Sequence, residues 1–331
     1  MLLKDTLEIK AYRLQFWKQR DNGSQWSWLP QASFHILHDG SSAQRYTAEW
    51  LKPDGSLWFS ESLRPGSAVG RVQTVFIKSE VPAEEVEKLA SVTGGTYGVK
   101  ITNAKSGEVA FQGKFKVNKL PPQFEDPKYK NQFDFYVEED WLLPVAYVGY
   151  DNDENFEAPH PSVWMWFKGD KLKPEDFEAR LFYNNRQIAS TDENCNNCVK
   201  SPDQERGVES CPGREETCHW RLRRFYWKNF VTINEQYDFF KNRVSNTTAT
   251  NDAAGEYTVK VFYKNQQIRE AKFNVAPDGA IARNTFSDKM FLINHKVLVP
   301  AKVLGTAEKW NPAAWKTDMF YGNPLTGFEG P

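Results

Sequence analysis

A hairpin pattern that occurs twice constrains the fold of this chain more than any other feature. The first copy runs from Gly95 to Val117 and the second from Gly255 to Val275. Each copy has a Gly-x-Tyr-x-Val strand, a polar turn and a second strand that contains Phe-x-Val. The alternation of apolar and polar residues in both arms predicts antiparallel strands with one buried face. We therefore expect two related β domains.

The length and the aromatic content agree with this expectation. At 331 residues the chain exceeds what one hydrophobic core usually serves. Aromatic residues make up 15% of the sequence, and many of them lie in alternating runs, which suit strands better than helices. The predicted fold class is all-β, with two tandem β-sandwich domains.

Other segments of the chain also recur. Tyr46–Leu51 resembles Phe177–Phe182, which begins 131 residues later, whereas the Tyr of the hairpin recurs after 160 residues. The second copy thus has 29 additional residues between these points, which predicts a loop insertion. Phe133–Val137 is interpreted as the counterpart of residues 7–11, at the start of the first copy.

Composition also indicates the domain boundaries. Residues 120–127 are rich in Pro and charge, which is typical of a linker. We predict a first β-sandwich over 1–121, a second over 122–279 with the insertion near 193–219, and a C-terminal extension over 280–331. The extension contains several aromatic side chains, so we expect it to pack back on a domain.

The Gly-x-Tyr-x-Val strand and the Phe-x-Val strand that follows it resemble the last two strands of immunoglobulin-like and fibronectin type III-like sandwiches. The resemblance implies that the hydroxyl of Tyr97 or Tyr257 caps a corner of its sandwich. It carries no active site, and such folds are used mostly for binding and spacing.

The four cysteines, Cys195, Cys198, Cys211 and Cys218, all lie in the predicted insertion. The Cys-x-x-Cys pair fits one zinc ion bound from a tight turn, and Cys211 with Cys218 or His219 would complete a tetrahedral site. Alternatively, two disulfides among these cysteines staple a long polar loop, as expected for an exported protein. In both cases the role is structural, because a loop this polar has no core of its own.

Four tryptophans are the candidate ligand-binding residues. Trp164 and Trp166 alternate on one predicted strand, and Trp26 and Trp28 alternate on a segment close to a Gly and a Pro. An exposed row of such rings would stack on sugars or on a partner protein. A buried row would instead fill the core of a sandwich.

Acidic residues supply two further candidates. Glu138, Glu139 and Asp140 are interpreted as a solvated edge rather than a glycosidase pair, since their spacing sets no working separation between two carboxylates. Asp151–Glu157 places oxygen ligands at alternating positions, but Phe156 stands where a calcium loop requires Gly. A calcium site is therefore not expected.

Several classes of protein are disfavoured. The formal net charge is -1 and no basic block is present, which argues against a nucleic-acid partner. No phosphate loop, dinucleotide fingerprint or nucleophile elbow occurs in the sequence, and no apolar run approaches the length of a membrane span. The N-terminus lacks the apolar region of a signal peptide. We expect a cytoplasmic protein, or a periplasmic or secreted one if a cleaved signal is missing from this sequence.

These patterns predict a non-catalytic binding or protein-interaction module whose contacts come from loops and exposed aromatic rings. The alternative is a carbohydrate-binding protein or a carbohydrate-active enzyme that uses exposed Trp and surface carboxylates. The expected partner is accordingly a protein or a carbohydrate, with structural zinc as the cofactor if the cysteines do not form disulfides.

Overall fold

The computed structural model shows an all-β protein. Strands dominate, and α1 (Ala83–Leu89) is the one α-helix in the part of the chain that the structure describes. No helix in that part is long and apolar enough to cross a membrane. The described residues are 2–14, 26–37, 44–63, 66, 68–69, 72–76, 83–121, 127–151, 160–169, 172–192, 199–200, 205–206, 218–227, 254–284, 287 and 296–304.

The chain divides into two compact units, of which the first is built mainly from residues 1–139. Its strands are β1 (Leu2–Leu14), β2 (Ser27–Leu37), β3 (Tyr46–Leu51), β4 (Leu57–Leu63), β5 (Ala68–Val69), β6 (Val72–Phe76), β7 (Gly95–Asn103), β8 (Val109–Leu120) and β9 (Asp134–Val137). They form a four-stranded sheet in the order β1-β2-β6-β5 and a five-stranded sheet in the order β4-β3-β7-β8-β9.

The second unit is built mainly from residues 140–205 and 220–312. Its strands are β10 (Val145–Asp151), β11 (His160–Lys168), β12 (Phe177–Tyr183), β13 (Arg186–Ser190), β14 (Val199–Lys200), β15 (Glu205–Arg206), β16 (Trp220–Tyr226), β17 (Gly255–Tyr263), β18 (Gln266–Val275) and β19 (Val297–Val303). They form one sheet in the order β13-β12-β17-β18-β19-β10-β11-β16-β14, with β15 paired to β16. Short 3-10 helices lie at Pro127–Tyr129, Asp140–Leu142 and Pro174–Asp176.

The two units repeat one strand order. The order β1-β2-β6-β5 corresponds to β10-β11-β16-β14, and β4-β3-β7-β8-β9 corresponds to β13-β12-β17-β18-β19. The counterpart of β1 is therefore β10, and the interpretation of Phe133–Val137 as that counterpart is wrong. Asp134–Val137 forms β9, which pairs with β8 as an additional strand of the first unit although it follows the predicted linker.

Strand register confirms the repeated hairpin residue by residue. Tyr97 lies opposite Phe115 across β7 and β8, and Tyr257 lies opposite Phe273 across β17 and β18. Each Tyr is buried and stacks on its Phe, with ring centroids 5.9 Å apart in the first unit and 5.2 Å apart in the second. Because a shift of one residue would turn these rings to the opposite face, the buried alternation sets the register.

Turn chemistry closes the hairpins. Gly55, with a φ of 83°, follows Pro53 and Asp54 between β3 and β4. In the second unit, Asn184 and Asn185 have positive φ in the β12–β13 turn. Lys264 and Asn265 have positive φ in the turn between β17 and β18. Two successive residues with positive φ are the requirement of a type I′ turn, whose twist matches antiparallel strands.

The C-terminal extension contributes a strand to the second unit. Val297–Val303 forms β19, which pairs with β18 on one side and with β10 on the other, so both halves of the unit belong to one continuous sheet. Its inward residues Val297, Val299 and Ala301 join the hydrophobic core of the unit. The part of the extension after residue 304 lies outside the described residues.

Candidate functional site

Trp26 is the one candidate tryptophan within the described residues that stays partly exposed, and it lies just before β2. Its backbone N–H donates a 2.6 Å hydrogen bond to Oε1 of Gln132, a buried residue in the segment that leads to β9. The ring of Tyr129, from the 3-10 helix Pro127–Tyr129, lies 5.7 Å from the Trp26 ring at an angle of 46°. These contacts fix the indole at one end of the first unit.

An ion pair lies beside this indole. Nη1 of Arg13, on β1, donates to Oδ1 of Asp134 at 2.7 Å, and the two side chains are only 17% and 4% exposed. The Arg13 guanidinium also lies 4.3 Å from the centroid of the Trp26 ring, within the range of a cation–π interaction. Because Asp134 and Trp26 hold it from two directions, the guanidinium is kept in one orientation.

We define the Trp26 cluster as Arg13, Trp26, Tyr129, Gln132 and Asp134. It combines two partly exposed aromatic rings with a guanidinium, a carboxylate and an amide, which are the groups that bind sugar hydroxyls or polar side chains of a protein. All five residues belong to the first unit. The cluster is already held by internal hydrogen bonds, so a ligand would meet a site that needs little ordering.

The other three candidate tryptophans are packed inside the protein. Trp28 is 0% exposed, and its Nε1–H donates to the Thr93 carbonyl at 3.0 Å. Trp166 is 2% exposed and Trp164 is 7% exposed, with the Lys296 ammonium 4.1 Å from the Trp164 ring centroid. All three rings are buried, which leaves Trp26 as the candidate that stays partly exposed.

The carboxylates predicted to form a solvated edge are buried, so that interpretation is wrong. Glu138 and Glu139 are 8% and 3% exposed, and Glu138 accepts hydrogen bonds of 3.1 Å from Lys116 Nζ and from Asn118 Nδ2. Asp140 is 5% exposed and accepts a 2.6 Å hydrogen bond from Nζ of Lys168. Buried carboxylates require such donors, because an unpaired buried charge is costly.

Of the four cysteines, only Cys218 lies within the described residues. It is 2% exposed, and it is not a free thiol. Cys195, Cys198 and Cys211 lie outside the described residues, so the pairing is not assigned, and the choice between two disulfides and zinc stays a prediction. His219, the proposed substitute ligand, is buried at 4% exposure.

Metal ligands are otherwise sparse in the described ranges. Within them, no group of three or more His, Cys, Asp or Glu side chains is placed to hold a metal ion. Only Asp151 of the acidic segment 151–157 belongs to those ranges, so the expectation about calcium is untested there.

Sequence reasoning identified Trp26 but missed the other four members of the Trp26 cluster. Arg13 and Asp134 are separated by 121 positions, and no local pattern links them. The one available signal was the polar segment 127–134 between the predicted linker and the next apolar run.

No protein-family model matches this chain, and a search of curated proteins finds no match.

Proposed function

We propose that this protein is a non-catalytic binding or interaction module built from two tandem immunoglobulin-like sandwiches, and that the Trp26 cluster is its ligand-binding site. The observation that carries this proposal is the partly exposed indole of Trp26, held against Arg13 and Tyr129 beside the buried Asp134 carboxylate. Preorganised aromatic and charged groups at a surface are typical of recognition sites.

Strand order supports the immunoglobulin-like assignment. The first unit places β1, β2 and β6 side by side and β4, β3, β7 and β8 in its other sheet, and the second unit does the same with β10, β11 and β16 and with β13, β12, β17 and β18. The first arrangement corresponds to strands A, B and E of an immunoglobulin-like sandwich, and the second to C, C′, F and G. Two further features favour it: α1 comes directly before the F-like strand β7, and the Tyr97 hydroxyl donates to the Thr93 carbonyl at 3.1 Å. The second feature is the hydrogen bond of a tyrosine corner.

The Trp26 cluster also favours a second candidate function, which is the binding of a carbohydrate. A sugar ring stacks its C–H face on an indole, and its hydroxyls accept hydrogen bonds from a guanidinium and donate hydrogen bonds to a carboxylate. The enzyme alternative has less support. Glycosidases need two carboxylates about 5–10 Å apart that reach the substrate, whereas Glu138 and Asp140 are buried in ion pairs with lysines.

Cys218, which is buried and is not a free thiol, favours the exported form of this proposal. Stable disulfides form in oxidising compartments and are rare in the cytosol. We therefore propose that the insertion is stapled by disulfides and that the protein acts outside the cytoplasm. A thiol count under denaturing conditions together with metal analysis tests this directly: four blocked thiols and no zinc support it, and one zinc per chain contradicts it.

The binding proposal is tested on a glycan array with the full chain, the variant Trp26→Ala and the control Tyr12→Ala. Tyr12 is 42% exposed on the neighbouring strand β1 and is not part of the Trp26 cluster. We expect specific glycans to bind the parent and the control, and to lose their signal with Trp26→Ala. Equal binding by all three proteins contradicts the assignment of the site.

A further inference from the structure

The ion pair of the Trp26 cluster leaves that site without net charge. Nη1 of Arg13 lies 2.7 Å from Oδ1 of Asp134, and the two side chains are 17% and 4% exposed. A carboxylate this close to a guanidinium, and this well shielded from water, offsets most of its charge. The rings of Trp26 and Tyr129, which stay partly exposed beside the pair, are uncharged at neutral pH. The cluster therefore offers a ligand a polar but electrically balanced surface.

The ion pair does not exhaust the hydrogen-bond donors of Arg13. A guanidinium carries five N–H groups. The hydrogen bond to Asp134 uses one of them, on Nη1, and no other acceptor among the described residues takes a hydrogen bond from Arg13. The remaining N–H groups can donate to uncharged acceptors such as the hydroxyl oxygens of a sugar.

An anionic ligand meets an opposing charge at this site. Any group that binds the Arg13 guanidinium lies close to the Asp134 carboxylate on the same guanidinium. A carboxylate of the ligand would be repelled there, because two negative charges beside one cation leave one in excess. The cost is raised by the burial of Asp134, since little water screens the two carboxylates from each other. A hydroxyl group meets no such repulsion.

Charges on the neighbouring strands do not reverse this balance. On β1, the Lys10 ammonium lies 3.6 Å from a carboxylate oxygen of Glu8. On β8, Lys116 pairs with Glu138 at 3.1 Å, and the Lys119 ammonium donates to a backbone carbonyl at 3.1 Å. These contacts engage the three cations away from an incoming anion.

We infer that Asp134 is the specificity-determining residue of the Trp26 cluster and makes the site select uncharged sugars over sugars that carry a carboxylate. This inference rests on the proposed function of the cluster and specifies its ligand class. Asp134 acts through Arg13, because it holds the guanidinium in one orientation and offsets its charge. Asp134 is thus a positioning residue, and Arg13 and Trp26 are the groups that touch the sugar.

A panel of paired oligosaccharides tests the inference on the full chain. Each pair consists of a glucan, galactan or mannan oligosaccharide and the same oligosaccharide oxidised at C6 to the uronate. We expect the parent to bind a neutral member about tenfold or more tightly than its uronate counterpart at neutral pH. Its affinity for the neutral member should change by less than about twofold between about 50 and about 500 mM NaCl, because an uncharged ligand forms no ion pair for salt to screen.

Asp134→Asn tests the role of the carboxylate itself. Asn keeps the shape of the side chain and an oxygen that accepts from Arg13, but it removes the negative charge. We expect the uronate to bind this variant about fivefold or more tightly than it binds the parent, with a smaller change for the neutral member. A purely structural role of Asp134 would weaken the binding of both members alike. Circular dichroism and thermal unfolding show whether the variant folds, and if it does not, the paired affinities and the salt series of the parent decide the question.

Two further variants separate the outcomes. Lys130→Gln removes an exposed cation next to Tyr129 and should leave both affinities within about twofold of the parent, whereas a uronate signal that depends on Lys130 overturns the inference. Uronates that bind the parent as tightly as the neutral members, no gain with folded Asp134→Asn, or no binding of any neutral member also overturn it. If Trp26→Ala abolishes the binding of neutral and uronate members that the parent binds equally, the proposed site stands and only the selectivity is refuted. Neutral binding that survives Trp26→Ala refutes both.

Discussion

Tyr257 stacks on Phe273 across β17 and β18, with ring planes 10° apart, and Tyr97 repeats this contact with Phe115 at 24° in the first unit. Because both pairs occupy directly opposed positions of their strands, the two hairpins share one register. The repeated sequence pattern is therefore a repeated packing unit. It lets each residue of one unit be compared with its equivalent in the other.

The Tyr97 hydroxyl is expected to stabilise the first unit through its bond to Thr93. Tyr97→Phe removes the donor of the 3.1 Å hydrogen bond to the Thr93 carbonyl and keeps the stacked ring. We expect the free energy of unfolding to fall by about 0.5–1.5 kcal/mol, the usual contribution of one such bond. Urea denaturation measures this change. Tyr12→Phe is the control, because Tyr12 is 42% exposed and its variant should unfold like the parent. An equal effect of both substitutions contradicts a corner role for Tyr97.

Loss of the Lys168–Asp140 ion pair is predicted to lower the stability of the second unit strongly. Both side chains are buried, with 6% and 7% exposure, and the Nζ–Oδ1 distance is 2.6 Å. Lys168→Met leaves the Asp140 carboxylate without this cation, which is expected to cost about 3–5 kcal/mol in urea denaturation. The matched control is Lys264→Met, because the Lys264 side chain is 65% exposed and its ammonium lies 3.7 Å from Asp176. That change should lie within about 1 kcal/mol of the parent. Equal stability of the two variants contradicts the prediction.

His35 is expected to make stability depend on pH. Burial lowers its pKa below the ordinary value of 6.5, and its Nδ1 has no hydrogen-bond partner among the described residues. Between the lowered pKa and 6.5 the unfolded chain binds more protons than the folded one, so this contribution is complete above 6.5 and falls as the pH drops below it. Urea denaturation at a series of pH values should show a weaker dependence in this window for His35→Gln. An unchanged pH profile argues against the contribution of His35.

Trp28 and Trp26 are predicted to have different roles: Trp28 stabilises the fold, and Trp26 binds the ligand. Trp28 is fully buried and packs edge-on against Tyr97 with centroids 4.9 Å apart, so Trp28→Ala should cost about 3–5 kcal/mol of unfolding free energy. Trp26 is partly exposed, so Trp26→Ala should cost much less while it removes ligand binding. Thermal and urea denaturation of both variants give the comparison. A larger stability loss for Trp26→Ala than for Trp28→Ala would assign Trp26 to the core instead.

The all-β class and the register of the hairpins could be predicted because both follow from local alternation. Tyr97, Val99 and Ile101 are buried as their period of two requires. The same local reasoning failed for Phe133–Val137, because a short alternating strand looks alike wherever it occurs, and only its pairing with β8 identifies it as β9.

The candidate site could be predicted only in part, for a physical reason. Position near turn residues indicated that Trp26 and Trp28 would not be core residues, which is wrong for Trp28 because its ring is fully buried. The partners of Trp26 come from β1 and from residues 127–134, and contacts over such separations leave no local signal. The buried carboxylates were misjudged for the same reason. A charged triplet is typical of a solvated edge unless lysines such as Lys116 and Lys168 approach it from other strands.

The most direct test of the central claim is calorimetric titration of the full chain with a glycan that the array identifies, followed by analysis of the recovered ligand. A non-catalytic binding module with its site at the Trp26 cluster predicts one site per chain, an intact ligand after prolonged incubation, and no measurable heat of binding with Trp26→Ala. A cleaved ligand, or full affinity in Trp26→Ala, would contradict the claim.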